Sequence, residues 1–214
     1  MRYSIALLLA LSLGALCSVA NANPINGTFG ITVWNFNCGT TCDSGSALEQ
    51  ATNTNPGATP GNQLAAFSYT GPINFVEPSN GSNNIQAFLG TAGGSAIPAS
   101  LDTAMSSGNF DLTTLIQITG NVVGSIGGYI HHDDGITLYQ NGSPVAASAA
   151  PTVDIATPFN LTQGDFNLWY VEANGLPARL TMDVTRVPEP SSLLVLGMGL
   201  VLIGFVARRY HKKS

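Results

Sequence analysis

The sequence predicts an all-β fold, an antiparallel β-sandwich of jelly-roll-like type, and three observations carry the prediction. Short stretches rich in Val, Ile, Thr, Tyr, Phe and Trp recur between residues 28 and 186, separated by turn residues. Asn-Gly pairs, whose residues tolerate positive φ, stand at Asn26-Gly27, Asn80-Gly81, Asn141-Gly142 and Asn174-Gly175 and mark hairpin turns. Only 9% of the 214 residues are charged, against a globular average of about 25%, and 44% are apolar, which disfavours disorder driven by charge.

The expected strands, in chain order, are Thr28–Phe36, Leu64–Tyr69, Ile73–Val76, Ile85–Leu89, Leu112–Thr119, Tyr129–His131, Gly135–Gln140, Val145–Ser148, Phe166–Glu172 and Ala178–Thr185. Two of them alternate clearly. Ile136, Leu138 and Gln140 share one face opposite Thr137 and Tyr139, and Phe166, Leu168, Tyr170 and Glu172 share one opposite Asn167, Trp169, Val171 and Ala173. Between Cys42 and Gln63 the stretch SGSALEQATNTNPGATPG has no strong period and reads as a surface loop. Sequons occur at Asn26, Asn80, Asn141 and Asn160; they are read as turns and not as glycan sites. No repeat of fixed length is present, which disfavours a solenoid.

The ends of the chain carry a different message. Residues 1–22 have the form of a signal peptide: Arg2, an apolar stretch from Ile5 to Leu16, and Ala20-Asn21-Ala22 as a cleavage site. Residues 191–207 (SSLLVLGMGLVLIGFVA) are uncharged and apolar all round, and Arg208, Arg209, Lys212 and Lys213 follow at once. Seventeen residues span about 26 Å as a helix, enough for a thin bilayer, and the basic tail at 208–214 should stay cytoplasmic. The body from 23 to 186 is expected outside the cytoplasm. It contains no lysine, and its basic residues are Arg179 and Arg186 alone against eleven carboxylates, so nucleic acid is excluded as a partner.

Immediately before the apolar helix stands Val187-Pro188-Glu189-Pro190. This order, followed by a helix containing Gly197 and Gly199 and an Arg-Arg end, closely resembles the PEP-CTERM sorting signal. The resemblance covers residues 187 to about 210. It implies handling by exosortase in the inner membrane, with transient single-pass insertion followed by placement at the cell surface or in an exopolysaccharide matrix. The two prolines fix φ and remove amide donors, which keeps the segment extended for a protease beside the bilayer.

An exported chain meets oxidising conditions. Cys17 leaves with the signal peptide, so Cys38 and Cys42 remain as a pair expected to form a local disulfide. The three-residue gap does not match thioredoxin-like redox pairs, and no nearby cluster completes a zinc site.

The densest polar cluster is His131-His132-Asp133-Asp134-Gly135, followed by Ile136 to Gly142. It resembles a stretch of the protective-antigen-type β-sandwich of toxins, glycosidases and yeast adhesins. In the adhesins two neighbouring aspartates hold a calcium ion that contacts a sugar, and Asp133 and Asp134 match that pair. The plainer reading of the same residues is a turn: Asp133 caps it, Asp134 bonds neighbouring amides, and Gly135 supplies an unusual φ. Calcium needs six to eight hard oxygens, of which two carboxylates are a start. Adjacent histidines on a strand point to opposite faces, which disfavours a transition-metal site at His131 and His132.

Phe166 to Ala178 resembles a stretch that follows the Asp-Asp-Gly strand in PEP-CTERM proteins. Trp169 or Tyr170 would stack on a sugar if exposed, although strand aromatics more often belong to the core. No nucleophile elbow, zinc-protease helix or phosphate-binding loop is present, and scattered carboxylates such as Glu77 and Glu172 do not single out a glycosidase pair, so the chain is not read as an enzyme. No Thr-x-Thr ladder supports ice binding. The sequence therefore points to an exported, exosortase-sorted protein with a structural or adhesive role, no required cofactor, and calcium-dependent carbohydrate binding as the alternative.

Overall fold

The computed structural model describes residues 22–37, 39, 42–185, 197, 199 and 200. The expected signal peptide up to residue 21, Cys38, the Val187–Pro190 motif and the basic stop lie outside the described residues. So does most of the apolar helix, of which Gly197, Gly199 and Leu200 are helical. Among the described residues no helix is long and apolar enough to cross a membrane. The chain divides into two compact units, and Asn21–Thr185 forms the unit considered below.

Eleven strands build two antiparallel sheets. They are β1 (Ala22–Pro24), β2 (Asn26–Asn37), β3 (Gln63–Pro72), β4 (Asn74–Glu77), β5 (Leu112–Val122), β6 (Ile126–Asp133), β7 (Gly135–Gln140), β8 (Ser143–Ser148), β9 (Ile155–Leu161), β10 (Gly164–Glu172) and β11 (Ala178–Thr185). One sheet has the order β3-β2-β5-β10-β7-β8; the other runs β1-β11-β6-β9, with β4 also paired to β11. β1 and β4 lie end to end along β11: Pro24 pairs with Asp183, and Asn74 with Thr181. Between them Met182 receives the N–H of Ile25 at 2.7 Å and donates its own to Ile73 at 3.1 Å.

The core between the sheets follows from strand alternation. Phe29, Ile31 and Val33 of β2, Ile116 and Ile118 of β5, and Phe166, Leu168 and Tyr170 of β10 meet Ile130, Phe159, Leu180 and Met182 of the other sheet. Aromatic rings run through it in sequence, from Tyr69 to Phe75 at 5.4 Å, to Phe88 at 5.7 Å, and to Tyr170 at 5.7 Å.

A smaller core lies on the outer face of the six-stranded sheet. Trp34 and Trp169 stack there beside Phe36, Leu115, Val171 and Ala173, with Ala51, Leu48 and Ala58 packed against them. The 43–62 segment is therefore not a surface loop alone: it covers these residues, with a 3₁₀ turn at Ala47–Glu49 and with Glu49 and Ala51 fully buried.

Several expected elements are corrected. Ile85–Leu89 is not a strand but part of a helix, α1 (Ile85–Gly90), because Ile85, Phe88 and Leu89 at helical spacing bury one face and the Asn84 side chain caps the Ala87 N–H at 3.0 Å. Asn26-Gly27 is no hairpin turn; it lies within β2, where Gly27 pairs with Gly71. Asn174-Gly175 joins β10 to β11 in the other sheet, with Gly175 at φ +97°. Asn80-Gly81 forms a turn ahead of α1, with the Gly81 N–H on the Pro78 carbonyl at 2.8 Å. Asn141-Gly142 does make a two-residue hairpin between β7 and β8, with φ +53° and +78°. The sequon at Asn160 is within β9, which sequence patterning did not reveal, as it did not reveal β1.

Candidate functional site

β6 ends at Asp133 in one sheet and β7 begins at Gly135 in the other, so Asp133-Asp134 is the step by which the chain changes sheets. The peptide bond between the two aspartates is cis. The unusual φ expected at Gly135 is absent; glycine is required there by close approach, since a Cβ would stand 2.2 Å from the Ala149 carbonyl oxygen.

Asp134 is fully buried, and its carboxylate is the hub of this corner. Oδ1 accepts the Thr152 N–H at 3.1 Å; Oδ2 accepts those of Ala173 at 2.9 Å and Asn174 at 3.1 Å. Thr152 belongs to the β8–β9 connection and Ala173 and Asn174 to the β10–β11 connection, and each of those also passes between sheets. One side chain thus ties together three crossings; Asp134 does bond amides, but they come from distant connections and not from its own turn.

Around it the acidic groups are crowded. Burial pushes Asp134 up to about 6 despite its amide donors, and pushes Asp133 up to about 7, with the charges of Asp134 and Asp154 adding to the effect. Glu49 is raised to about 7 by burial, opposed by the Thr113 hydroxyl at 2.7 and 2.8 Å and reinforced by Asp134. Glu172 is raised well above the carboxylate range, first by burial and then by Asp134.

Tyr170 has one hydroxyl proton and two acceptors, the Asp133 carbonyl at 2.5 Å and Glu172 Oε2 at 2.7 Å. A protonated Glu172 resolves the conflict: it donates to Tyr170, whose own proton goes to the Asp133 carbonyl, while Ser106 donates to Glu172 Oε1 at 3.2 Å. Glu49, Glu172, Tyr170, Thr113 and Ser106 were not identified as parts of this corner from the sequence, since they come from positions far apart in it.

The histidines separate as alternation requires. His132 is buried, with Nδ1 against the Asp134 carbonyl and Nε2 2.8 Å from the Thr157 hydroxyl, and burial lowers its pKa. A carbonyl only accepts, so Nδ1 carries the proton and Nε2 accepts from Thr157; neither nitrogen is left for a metal. His131 lies on the other face, 3.7 Å from Asp183.

Among the described residues, no three His, Cys, Asp or Glu side chains converge to hold a metal by themselves. The donors nevertheless suit a hard cation. Asp133 and Asp134 are buried carboxylates, the charge of Asp134 adds to the burial that raises Asp133, and Asp134 Oδ1 accepts a single amide, that of Thr152. A calcium ion here would draw its remaining oxygens from main-chain or amide carbonyls.

The other candidates resolve differently. Trp169 and Tyr170 are both buried, so neither presents a ring to solvent. Glu77 takes the Ser82 N–H at 2.6 Å and the Ser82 hydroxyl at 2.8 Å, a local structural role. Cys42 is buried beside Ser46; its expected partner Cys38 lies outside the described residues.

Comparison with known proteins adds two findings. No curated protein matches the chain. Among solved structures, the PA14 sugar-binding domain from an RTX adhesin aligns with TM-score 0.50 and 20% identity over 73% of this chain and 87% of that one. The PA14 domain of the antifreeze protein MpAFP aligns with TM-score 0.49 and 17% identity over 76% and 84%. An epithelial adhesin A domain from Candida glabrata, in complex with β-lactose, aligns with TM-score 0.43 and 11% identity over 75% and 84%. At such identities the first of these speaks for the fold alone. The family described as the PEP-CTERM protein-sorting motif matches residues 186–209, and the chain therefore carries that motif directly behind a β-sandwich similar in fold to a PA14 domain.

Proposed function

We propose that this protein is a non-enzymatic, exported surface or matrix protein, sorted by exosortase, whose β-sandwich serves a structural or adhesive role in exopolysaccharide. The observation that carries the reading is the junction: β11 ends at Thr185 and the sorting motif begins at residue 186, so the folded unit and its address share one boundary. On this reading residues 1–22 are removed as a signal peptide, Cys38 and Cys42 form a disulfide, and residues 191–207 hold the chain in the inner membrane with the tail in the cytoplasm. Cutting near Val187–Pro190 then releases the sandwich outward. Mass spectrometry of the surface fraction tests it. A carboxyl terminus at or near Pro188-Glu189-Pro190 is expected in cells with exosortase and the uncut tail in cells without it; an identical terminus in both defeats the sorting reading.

A second reading, calcium-dependent carbohydrate binding at Asp133 and Asp134, is favoured by the adjacency of two buried carboxylates, of which Asp134 destabilises the charged form of Asp133, an effect that a divalent cation would relieve. The likeness to a sugar-binding adhesin domain supports it as analogy. Calorimetry of the protein with CaCl₂ should give a heat that Asp133→Asn abolishes; no heat beyond dilution rejects the site.

A further inference from the structure

The outer face of the six-stranded sheet holds a second feature, about 20 Å along β10 from the Asp134 corner, at roughly 3.3 Å per residue from Asn167 to Ala173. An open groove of about 730 Å³ runs there, within the range of roughly 300–1,000 Å³ typical of ligand sites. It is lined by Thr119 and Asn121 of β5, Tyr139 of β7, Asp165 and Asn167 of β10, and Asn53 from the covering 43–62 segment. The strand residues are cross-strand neighbours: Asn121 faces Asp165, Thr119 faces Asn167, and Asn167 faces Tyr139. Asn121 Nδ2 donates to Asp165 Oδ1 at 2.7 Å, which fixes that carboxylate and leaves its second oxygen uncommitted.

Hydrogen bonding on this face is incomplete. Four buried side-chain atoms among the described residues lack a partner, and three of them, Asn167 Oδ1, Trp169 Nε1 and Thr137 Oγ1, lie in one block, with Thr137 opposite Trp169 and Tyr139 opposite Asn167. Buried polar atoms are rarely left so. Asn167 is half-buried in the groove wall; its Oδ1 is enclosed without a partner, and a turn of the side chain would present that oxygen to a ligand.

Charge and position narrow the ligand. Asp165 is the single charged side chain in the lining, and Arg179, the basic residue described in the sandwich, is committed to Asp154 at 2.9 Å, so nothing here attracts a polyanion. β5, β10 and β7 are interior strands, paired on both edges, so a peptide cannot add to the sheet at this point. Amide, hydroxyl and carboxylate groups beside a partly buried tyrosine ring suit a molecule with many hydroxyls and apolar C–H faces.

We propose that this groove is a metal-independent site for a neutral saccharide chain, with Asp165, Asn121 and Asn167 taking its hydroxyls and the Tyr139 ring taking a C–H face. The site is separate from Asp133 and Asp134. It gives the adhesive role a ligand without depending on sorting or on calcium.

The full chain, purified in a detergent without a sugar head group, is titrated calorimetrically in EDTA with cellohexaose, laminarihexaose, maltohexaose and hexagalacturonate. At least one neutral hexasaccharide is expected to bind, and the acidic one is not. Asn167→Ala and Tyr139→Ala should each weaken binding about tenfold, and Tyr139→Phe by less than about threefold, since the ring remains. Asp165→Ala, at an exposed position, repeats the test should the tyrosine variant fail to fold. Asp102→Asn, at an exposed position outside the groove, should leave binding unchanged. The proposal is overturned if no neutral hexasaccharide binds, if hexagalacturonate binds equally, if binding appears only when EDTA is omitted, or if the groove variants bind like the original. Because export plays no part in the titration, its failure would leave the sorting reading standing.

Discussion

The carboxylate of Asp134 receives the backbone N–H of Ala173 at 2.9 Å across the seam between the two sheets. With Thr152 and Asn174 on the same side chain, loss of this acceptor strands three amides at once. Asp134→Ala should cost about 3 kcal/mol or more, at ~1 kcal/mol as the lower bound for each of the three stranded donors. Asp134→Asn, which keeps one acceptor oxygen, should cost less. Urea denaturation of the three proteins would show the order; equal midpoints would mean that Asp134 does not hold the crossings together.

Stability should fall as pH rises between about 5 and 8. Glu49 and Asp133, held near 7, and Asp134, near 6, bind protons in the folded protein at pH values where the unfolded chain has released them, so their contribution is full in acid and is lost on passing through those values. Glu172 extends the trend to higher pH. His132 opposes it, because its lowered pKa makes the folded state gain as pH approaches 6.5, after which only the carboxyl groups act. Melting temperatures should therefore decline most steeply between about pH 5 and 6.5, where four carboxyl groups act against one imidazole, and more gently above about pH 7; a flat or rising profile would contradict the protonation of this corner.

Trp34 and Trp169 stack at 5.5 Å with their rings 16° apart beneath the 43–62 segment. Trp169→Ala should cost about 3–5 kcal/mol. It should also free the covering segment, so that the Ala51 amide, bonded to the Ala149 carbonyl at 2.9 Å, exchanges with solvent at least as fast as the flanking loop amides. Hydrogen exchange read by mass spectrometry over residues 43–62 would detect the change.

Two glycines predict opposite outcomes for one substitution. At Gly128 a Cβ would lie 1.9 Å from the Asp183 carbonyl oxygen, in the β6–β11 ladder, and Gly128→Ala should destabilise by about 3 kcal/mol or more as the strands are forced apart. At Gly90, the last residue of α1, no atom lies within 4 Å of the added carbon. Gly90→Ala should be neutral or stabilising by up to ~1 kcal/mol. Thermal melts of the pair provide the comparison.

What the sequence disclosed follows the reach of each signal. The sorting motif was legible because all its parts are contiguous. The face assignment in β10 was legible because alternation is local, and Phe166, Leu168 and Tyr170 do enter one core while Trp169, Val171 and Ala173 enter the other. Ile85–Leu89 misled because a five-residue stretch with four apolar residues is too short to separate a period of two from one of 3.6, and only Asn84 in front of it signalled a helix. β9 was hidden by Pro158, which an edge strand tolerates. Asp134 was visible as part of a dense polar cluster, but its donors and acidic neighbours arrive from other strands and connections, and the groove exists only once β5, β7 and β10 are side by side.

The placement of β11 has a consequence for how the chain is made. Among the described strands it is the last to leave the ribosome, yet β1, β4 and β6 all hydrogen-bond to it. The sandwich cannot lock before residue 185 has been synthesised, so a nascent chain stays open until its last strand is made. A product cut short ahead of Ala178 would leave three strands with bare edges, the kind of surface that recruits other chains.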